Sequence, residues 1–321
     1  MLRTRMALYR LAVGCMIVAC GDLSAQSFPS KPIRMIAPEA GGGADLVARI
    51  VAQGLSVNFG VPVIVDNRGG AAGIIAAQIL TRSAPDGHTL LFYGSGILTL
   101  PMMKAVPYDP MKDFAPITLA DSSPNVLVVH PTLPVRSVKE LIALAKAKPG
   151  QLNYGSGSTG AAPHLSAELF KAMAGVNIVR VTYKGTGPAL NDLIGGQLHL
   201  MFTTGGWSQH VKAGRLIALA STSAVTSALA PGLPTVAASG VPGYEAESIH
   251  GLYAPSGTPA AVINRLYQET ARVLNQAEVK DKLLIAGVET VGSTPQQFAA
   301  SLKKEEIKWR KVIKDADIRA E

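Results

Sequence analysis

Cysteine is nearly absent from this chain, and its placement excludes several kinds of chemistry. The 321 residues contain two cysteines, Cys15 and Cys20, and both lie within the first 25 positions. The rest of the chain can therefore form no disulfide and present no thiol nucleophile or thiolate metal site. It must be held together by its core, and roughly 300 residues can build one, most naturally as two units.

Aromatic residues and clustered positive charges are also scarce. Aromatic residues make up 5% of the chain, and the formal net charge is +8. The first 25 residues hold three arginines and one aspartate, which leaves about +6 for the remainder. Because the basic residues are scattered rather than clustered, we expect no nucleic-acid partner. A mildly basic balance suits an anionic ligand.

Recognisable catalytic patterns are missing as well. The chain has no G-x-S-x-G elbow, no H-E-x-x-H pair and no Walker lysine. Its six histidines are scattered without the spacing of metal ligands. These absences predict a protein that is not an enzyme, with no cofactor and no metal.

The first 25 residues have the pattern of a secretory signal peptide. Arg3, Arg5 and Arg10 precede the apolar run Leu11–Ala19, and small residues follow, which predicts cleavage near Ala25 and export to the periplasm. Two alternatives remain: a membrane anchor or buried helix, and a lipid anchor at Cys20, since Ile17–Cys20 is similar to a lipobox. No later stretch approaches the 18 apolar residues that a transmembrane helix needs.

Short apolar runs alternate with helical patterns along most of the chain, which predicts an α/β fold whose sheets are mixed, mainly parallel and flanked by helices. Two extended segments, 123–129 and 250–255, have the pattern of crossings between two lobes. We therefore expect lobe 1 at 26–125 plus 250–321 and lobe 2 at 126–249. The last helix, from Pro295 to about Asp315, is expected to pack on the outside of lobe 1. The predicted strands are 33–37, 63–66, 89–93, 117–120, 126–129, 178–181, 198–202 and 216–220.

A glycine-rich turn between the first predicted strand and a helix is the strongest local signal of a binding site. Glycines allow close approach to a ligand, and the helix start directs unpaired N–H groups into the crevice, which suits an anion. Asp45 has the position of a helix cap or first-turn carboxylate. The alternative is a tight turn with no ligand. The candidate binding residues here are Pro38, Glu39, Ala40, Gly41, Gly42, Gly43, Ala44 and Asp45.

A second turn of this kind follows Tyr154. Its glycines match G-x-G-x-x-G, but no acidic residue occurs between Leu169 and Asn191, so dinucleotide binding is not expected. Its hydroxyl groups can donate to a carboxylate, and its candidate residues are Gly157, Ser158, Thr159, Gly160, Ala161 and His164. Other candidates follow predicted strands and could equally belong to ordinary loops: Ser95, Lys184, Gly185, Thr203 and Thr204.

An ordered series of motifs resembles the solute-binding proteins of tripartite tricarboxylate transporters, also called the Bug family. The matching segments cover essentially all the chain after the signal: 28–34, 38–45, 65–73, 84–91, 157–164, 168–170, 183–185, 233–236 and 253–259.

The resemblance implies a type 2 periplasmic-binding-protein fold, with a carboxylate captured between two lobes. It assigns Pro38–Ala44 to one carboxylate in lobe 1, and Ser158, Thr159 and the following turn to lobe 2. The family's ligands include dicarboxylates, tricarboxylates, acidic amino acids and aromatic acids such as terephthalate. The implied partner of this monomeric receptor is a membrane permease with one large and one small subunit.

Three positions depart from the family's usual pattern. Ala44 stands where Thr or Ser is more common, Glu39 places an acid beside an anion site, and Thr203 stands where many relatives have an Asp. An Asp there would suit a ligand amine, so we expect an amine-free ligand. Two other functions stay open: a sensor for a signalling kinase, and an exported hydrolase that uses the turn Ser156–Thr159.

Overall fold

The computed structural model describes residues 28–38, 40, 43–69, 73–157, 159–315 and 318–319. The predicted signal peptide, its cleavage near Ala25 and the alternative lipid anchor at Cys20 lie outside these residues, as do Glu39, Gly41, Gly42 and Ser158. Among the helices that the structure describes, none is long and apolar enough to cross a membrane.

The first of two sheets in the described residues has six strands in the order β11-β4-β10-β3-β1-β2. Strands β1, β2 and β3 pair in parallel, and the other neighbours pair antiparallel. We call this sheet and the helices packed on it the first lobe. Its strands are β1 (Ile33–Ala37), β2 (Val63–Asn67), β3 (Thr89–Gly94), β4 (Phe114–Pro124), β10 (Glu247–Pro255) and β11 (Glu289–Thr290).

The second sheet has five strands in the order β7-β6-β8-β5-β9, and with its helices it forms the second lobe. Strand β6 pairs in parallel with β7 and β8, whereas β5 pairs antiparallel with β8 and β9. The strands are β5 (Val126–Val129), β6 (Asn153–Ser156), β7 (Val179–Thr182), β8 (Leu200–Thr203) and β9 (Ile217–Ser221).

Helices connect the strands of both sheets. Side chains cap two of the helix starts: Ser137 Oγ accepts the N–H of Glu140 at 3.2 Å, and Thr294 Oγ1 accepts the N–H of Gln297 at 3.2 Å. The helices are α1 (Gly43–Phe59), α2 (Ile74–Thr81), α3 (Gly96–Thr99), α4 (Pro110–Asp113), α5 (Val138–Ala147), α6 (Ala162–Ala174), α7 (Thr186–Ile194), α8 (Trp207–Lys212), α9 (Ala260–Leu274), α10 (Ala277–Ile285) and α11 (Pro295–Asp315).

The α/β fold class is confirmed, with one difference in the sheets. Parallel pairing occurs where helices connect successive strands, as the alternation predicts. The long strands β4 and β10, which carry the chain between lobes, pair antiparallel with each other. Each sheet is therefore mixed, as predicted, but parallel pairs do not outnumber antiparallel pairs in either sheet of the described residues.

Two crossings connect the lobes at a buried polar cluster. Asn125 stands between β4 and β5, its N–H donates to Thr222 Oγ1 at 2.7 Å, and its amide donates to Ser166 Oγ at 3.1 Å. The return crossing is β10, which joins the first sheet from Glu247 onward. Hydrogen bonds thus tie Asn125 to the second lobe and, through Ser248 Oγ at 3.4 Å, to the return crossing.

Helix α11 contacts the cores of both lobes, whereas the sequence predicts packing on the first lobe alone. Phe298 and Leu302 pack in a core cluster of the first lobe. Trp309 and Ile313 belong to the core cluster of the second lobe. The helix has 21 residues and is therefore about 30 Å long, which is enough to reach from one core to the other.

Candidate functional site

A cavity of about 220 Å³ lies between the two lobes. It opens beyond the ends of β1 and β3 on one side and of β6 and β8 on the other, where ligands bind in α/β folds. Ten of the sequence-predicted residues line it: Pro38, Ala40, Gly43, Ala44, Ser95, Gly157, Thr159, Ala161, Gly185 and Thr204.

Five further predicted residues are described but do not line this cavity: Asp45, Gly160, His164, Lys184 and Thr203. Lys184 is exposed, and the hydroxyl of Thr203 donates to the carbonyl of Gly205 at 3.0 Å. The lining also includes Gly94, Gly96, Ala162, Pro163 and Thr186, which adjoin predicted residues in the same loops. Sequence reasoning did not assign several other lining residues to the site: Tyr93, Gly187, Pro188, Ser248, Ile249 and His250.

The first-lobe turn is held from behind by Asp45 and Asn67. Asp45 is buried, and its carboxylate accepts from Arg49 Nε at 3.0 Å and from Asn67 Nδ2 at 2.8 Å. The same amide of Asn67 donates to the carbonyl of Pro38 at 2.7 Å. These bonds fix the turn between β1 and α1, so Asp45 positions the helix start as its sequence position predicts.

The second-lobe turn is organised by Arg180 on β7. Its guanidinium donates to Ser156 Oγ at 2.8 Å, to Thr159 Oγ1 at 3.1 Å and to the carbonyl of Gly157 at 3.0 Å. The planar guanidinium presents its N–H donors in a fixed geometry, which suits contact with three acceptors at once. Arg180 therefore holds the hydroxyls of Ser156 and Thr159 in place.

Gly160 is the point where the two lobes approach most closely in this turn. Its φ is 81°, and a Cβ at this position would lie 2.9 Å from the terminal methyl of Met103. Thr99 Oγ1 of the first lobe donates to its carbonyl at 2.8 Å. Glycine is thus required both by the backbone conformation and by the neighbouring lobe.

His164 supports the same turn as a neutral acceptor. Its Nδ1 accepts the N–H of Gly160 at 3.1 Å. Burial, with added effects of the Arg180 and Lys171 charges, lowers the pKa of His164 to about 3. The imidazole therefore stays neutral at physiological pH and has no charge to offer a ligand.

The buried state of His164 predicts a loss of stability in acid. The unfolded chain takes up a proton near pH 6.5, whereas the folded protein does not, so stability falls as the pH drops through that value. Between pH 7.5 and pH 5 this group should lower the free energy of unfolding by about 2 kcal/mol. Urea unfolding of wild type and His164→Asn at both pH values measures this change in the free energy of unfolding. A pH dependence that is equal in the two proteins would contradict this role.

Among the described residues, the N-termini of three helices of nine or more residues meet at the cavity, together with that of the four-residue α3. The first residues of α1 and α6 line it, as the two turns predict, and so do Thr186, Gly187 and Pro188 at the start of α7. The sequence contains a signal for the start of α7, because Gly185, Gly187 and Pro188 occur within six residues of the end of β7. Each helix start contributes a partial positive charge and unpaired N–H groups.

No Lys, Arg, Asp or Glu side chain is among the described residues that line the cavity. The imidazole of His250, from β10, is on its wall. Its Nδ1–H donates to Asp121 Oδ1 at 2.7 Å. Among the described residues, the polar groups that the cavity wall offers are therefore helix starts, hydroxyls and this imidazole.

Two mixed α/β lobes that enclose a cavity at their strand ends define a solute-binding protein with the type 2 periplasmic-binding-protein fold. The chain belongs to the tripartite tricarboxylate transporter family of receptors, whose sequence model matches residues 47–318. Members of this family are periplasmic receptors that work with a membrane transporter, rather than enzymes.

Similar proteins cover nearly the whole chain. BugT of Bordetella pertussis is 34% identical over 311 residues, which cover 94% of this chain and 95% of BugT. The structure of R. palustris Rpa4515 with adipate is similar at a TM-score of 0.86 and 36% identity, covering 91% of this chain and 99% of that one. MatC of Rhodopseudomonas palustris with bound malate is similar at a TM-score of 0.83 and 27% identity, covering 89% of this chain and 100% of MatC.

Proposed function

We propose that this protein captures a small organic carboxylate, aliphatic or aromatic, between its two lobes. The observation that carries the proposal is the meeting of several helix N-termini at one cavity, three of them from helices of nine or more residues. Helix starts stabilise an anion through N–H groups and the helix dipole, by up to about 2 kcal/mol each in partly buried sites. Apolar residues between them, such as Ala44, Ala161 and Pro188, suit the carbon skeleton of the ligand.

The size of the cavity favours a compact ligand. About 220 Å³ is below the range of roughly 300–1,000 Å³ that is typical for drug-sized molecules. The similar proteins Rpa4515 and MatC carry adipate and malate, which are small dicarboxylates. A dicarboxylate of this size is the substrate class that we propose.

The residues that line the cavity, among those described, also support an amine-free ligand. An ammonium group needs a carboxylate or several carbonyl partners when it is buried. Among the residues described here, no Asp or Glu lines the cavity, and Thr203 is directed to Gly205. Malate should therefore bind better than aspartate, which differs from it by an ammonium in place of a hydroxyl.

The loaded receptor would deliver its ligand to a permease with one large and one small subunit, and we propose that it does so as a monomer. Export would proceed by cleavage near Ala25, with lipid attachment at Cys20 as the alternative. Mass spectrometry of the protein recovered from the periplasm distinguishes these two forms.

A thermal-shift screen of mono-, di- and tricarboxylates tests the proposal. A ligand at one hundred times its Kd stabilises a protein by about 2.7 kcal/mol, which corresponds to several degrees in Tm for a chain of this size. We expect such a shift with at least one small dicarboxylate, and none with adipamide, the neutral counterpart of adipate. Equal shifts for adipate and adipamide would contradict recognition of the carboxylate charge.

A further inference from the structure

His250 and Asp121 form a hydrogen-bonded pair at the wall of the cavity. The two residues face each other on the neighbouring antiparallel strands β10 and β4. Asp121 is 0% exposed, whereas the side chain of His250 keeps 19% exposure and lines the cavity. The pair therefore extends from the interior of the first lobe to the place where a ligand would lie.

The carboxylate of Asp121 depends on this histidine. Asp121 Oδ1 accepts from His250 Nδ1–H at 2.7 Å, and Asp121 Oδ2 has no hydrogen-bond partner among the described residues. A buried carboxylate that lacks a counter-charge costs several kcal/mol. The cheapest arrangement is an imidazolium at His250, because it supplies that counter-charge within direct contact.

The ring of His250 is held in one orientation by β3. It stacks on Phe92 with centroids 6.2 Å apart and an interplanar angle of 17°. It also lies over Gly94, where an added Cβ would be 2.9 Å from His250 Cδ2. Tyr93, between these two residues, points to the other face of the sheet. With Nδ1 committed to Asp121, Nε2 is the nitrogen left for a ligand.

We propose that Asp121 keeps His250 as an imidazolium whose Nε2–H binds one carboxylate of the ligand, so that ligand binding is coupled to the protonation of His250. This role rests on the proposed function as a carboxylate receptor. It adds a full positive charge to a cavity otherwise built from helix starts, and it makes the affinity dependent on pH.

The groups around His250 agree with a protonated ring. Burial lowers the pKa of His250, but the charge and the hydrogen bond of Asp121 outweigh it, so the pKa is raised above its usual 6.5. Helix α6, which packs against β10, carries His164, which is neutral. Glu247, on β10 itself, accepts from Ser122 Oγ at 2.7 Å.

The direction of the pH effect follows from this raised pKa. The contribution of the pair to stability is complete below about pH 6.5 and is lost as the pH rises through the folded pKa of His250. Ligand affinity should follow the same direction and fall in alkaline solution. Carboxylates titrate near pH 4, so adipate and malate themselves stay ionised across the range tested.

Calorimetric titration of adipate and malate between pH 6.5 and pH 9.5 tests this role in the full-length mature protein. We expect wild-type affinity to fall as the pH rises, with proton uptake on binding above the pKa of His250. His250→Asn keeps a donor for Asp121 but no charge, and it should bind about tenfold more weakly at pH 7, with no pH dependence. Asp121→Asn should shift the midpoint of the pH dependence to a lower pH.

Three outcomes distinguish the role of His250 from the function itself. If wild type and His250→Asn bind adipate equally well at every pH, the role of His250 is wrong and the receptor function stands. If the pH dependence of affinity has the same midpoint in Asp121→Asn as in wild type, and the Tm of the variant confirms that it is folded, the coupling through Asp121 is wrong. If no carboxylate of the screen binds wild type, both proposals fall.

Discussion

Gly43→Asp should reduce the affinity for adipate by about a thousandfold and leave the fold intact. Gly43 is the first residue of α1 and lines the cavity. Among the described residues, a Cβ there would meet only Thr204 Oγ1, at 4.0 Å, so a side chain has room. Two like charges about 4 Å apart repel by roughly 4 kcal/mol at an effective dielectric of about 20, which corresponds to about three orders of magnitude in Kd.

Gly43→Asn is the matched control for this substitution, because it adds nearly the same volume without the charge. We expect it to weaken adipate binding by no more than about tenfold. An acidic residue in the first turn is favourable to a helix, so Gly43→Asp should keep the wild-type Tm without ligand. Calorimetric titration measures the affinity of both variants for adipate. Equal losses of affinity would indicate steric exclusion rather than recognition of an anion.

The parts of this site that sequence predicts are those formed by neighbouring residues. Gly43 and Gly157 lie in strand-to-helix turns, where glycine, hydroxyl and proline residues occur together and the required backbone is local. His250 lies on a strand whose apolar pattern is ordinary. Its role depends on Asp121, which is 129 positions away, and a single sequence does not show that register.

The same distinction applies to the fold. The buried strands with continuous apolar runs, such as β1 and β5, lie where the sequence predicts them. Strand β6 was not predicted, because Asn153–Ser156 has no apolar run and gains its place by pairing with β7 and β8. Likewise, the amphipathic pattern of α11 indicates a buried face but not which core that face contacts.

The lobes meet at positions that leave no room for side chains. A Cβ on Gly287, after α10, would lie 2.9 Å from the carbonyl oxygen of Thr204 on the second lobe, and Gly287 has a φ of 81°. Gly160 contacts Thr99 of the first lobe in a similar way. If the lobes open and close about the two crossings, at Asn125 and just before Glu247, these glycines set how far they close.

Helix α11 adds a third connection, and Trp309 is where it meets the second lobe. Trp309→Ala should lower the free energy of unfolding by about 3–5 kcal/mol, since the indole is 1% exposed within the second-lobe core. Its Nε1 donates to Glu305 Oε2 at 2.6 Å. Glu305 keeps Lys308 as a partner at 2.9 Å, so the substitution creates a cavity without leaving a carboxylate unpaired.

Ile307→Ala on the same helix is the control for this prediction. Ile307 is 72% exposed, so its loss should change the free energy of unfolding by no more than about 0.5 kcal/mol. Urea unfolding of wild type and both variants makes the comparison. If Trp309→Ala costs as little as Ile307→Ala, the second half of α11 does not pack in the second-lobe core. If it has the large effect expected, α11 ties the stability of one lobe to the other, and any hinge motion must pivot around this helix.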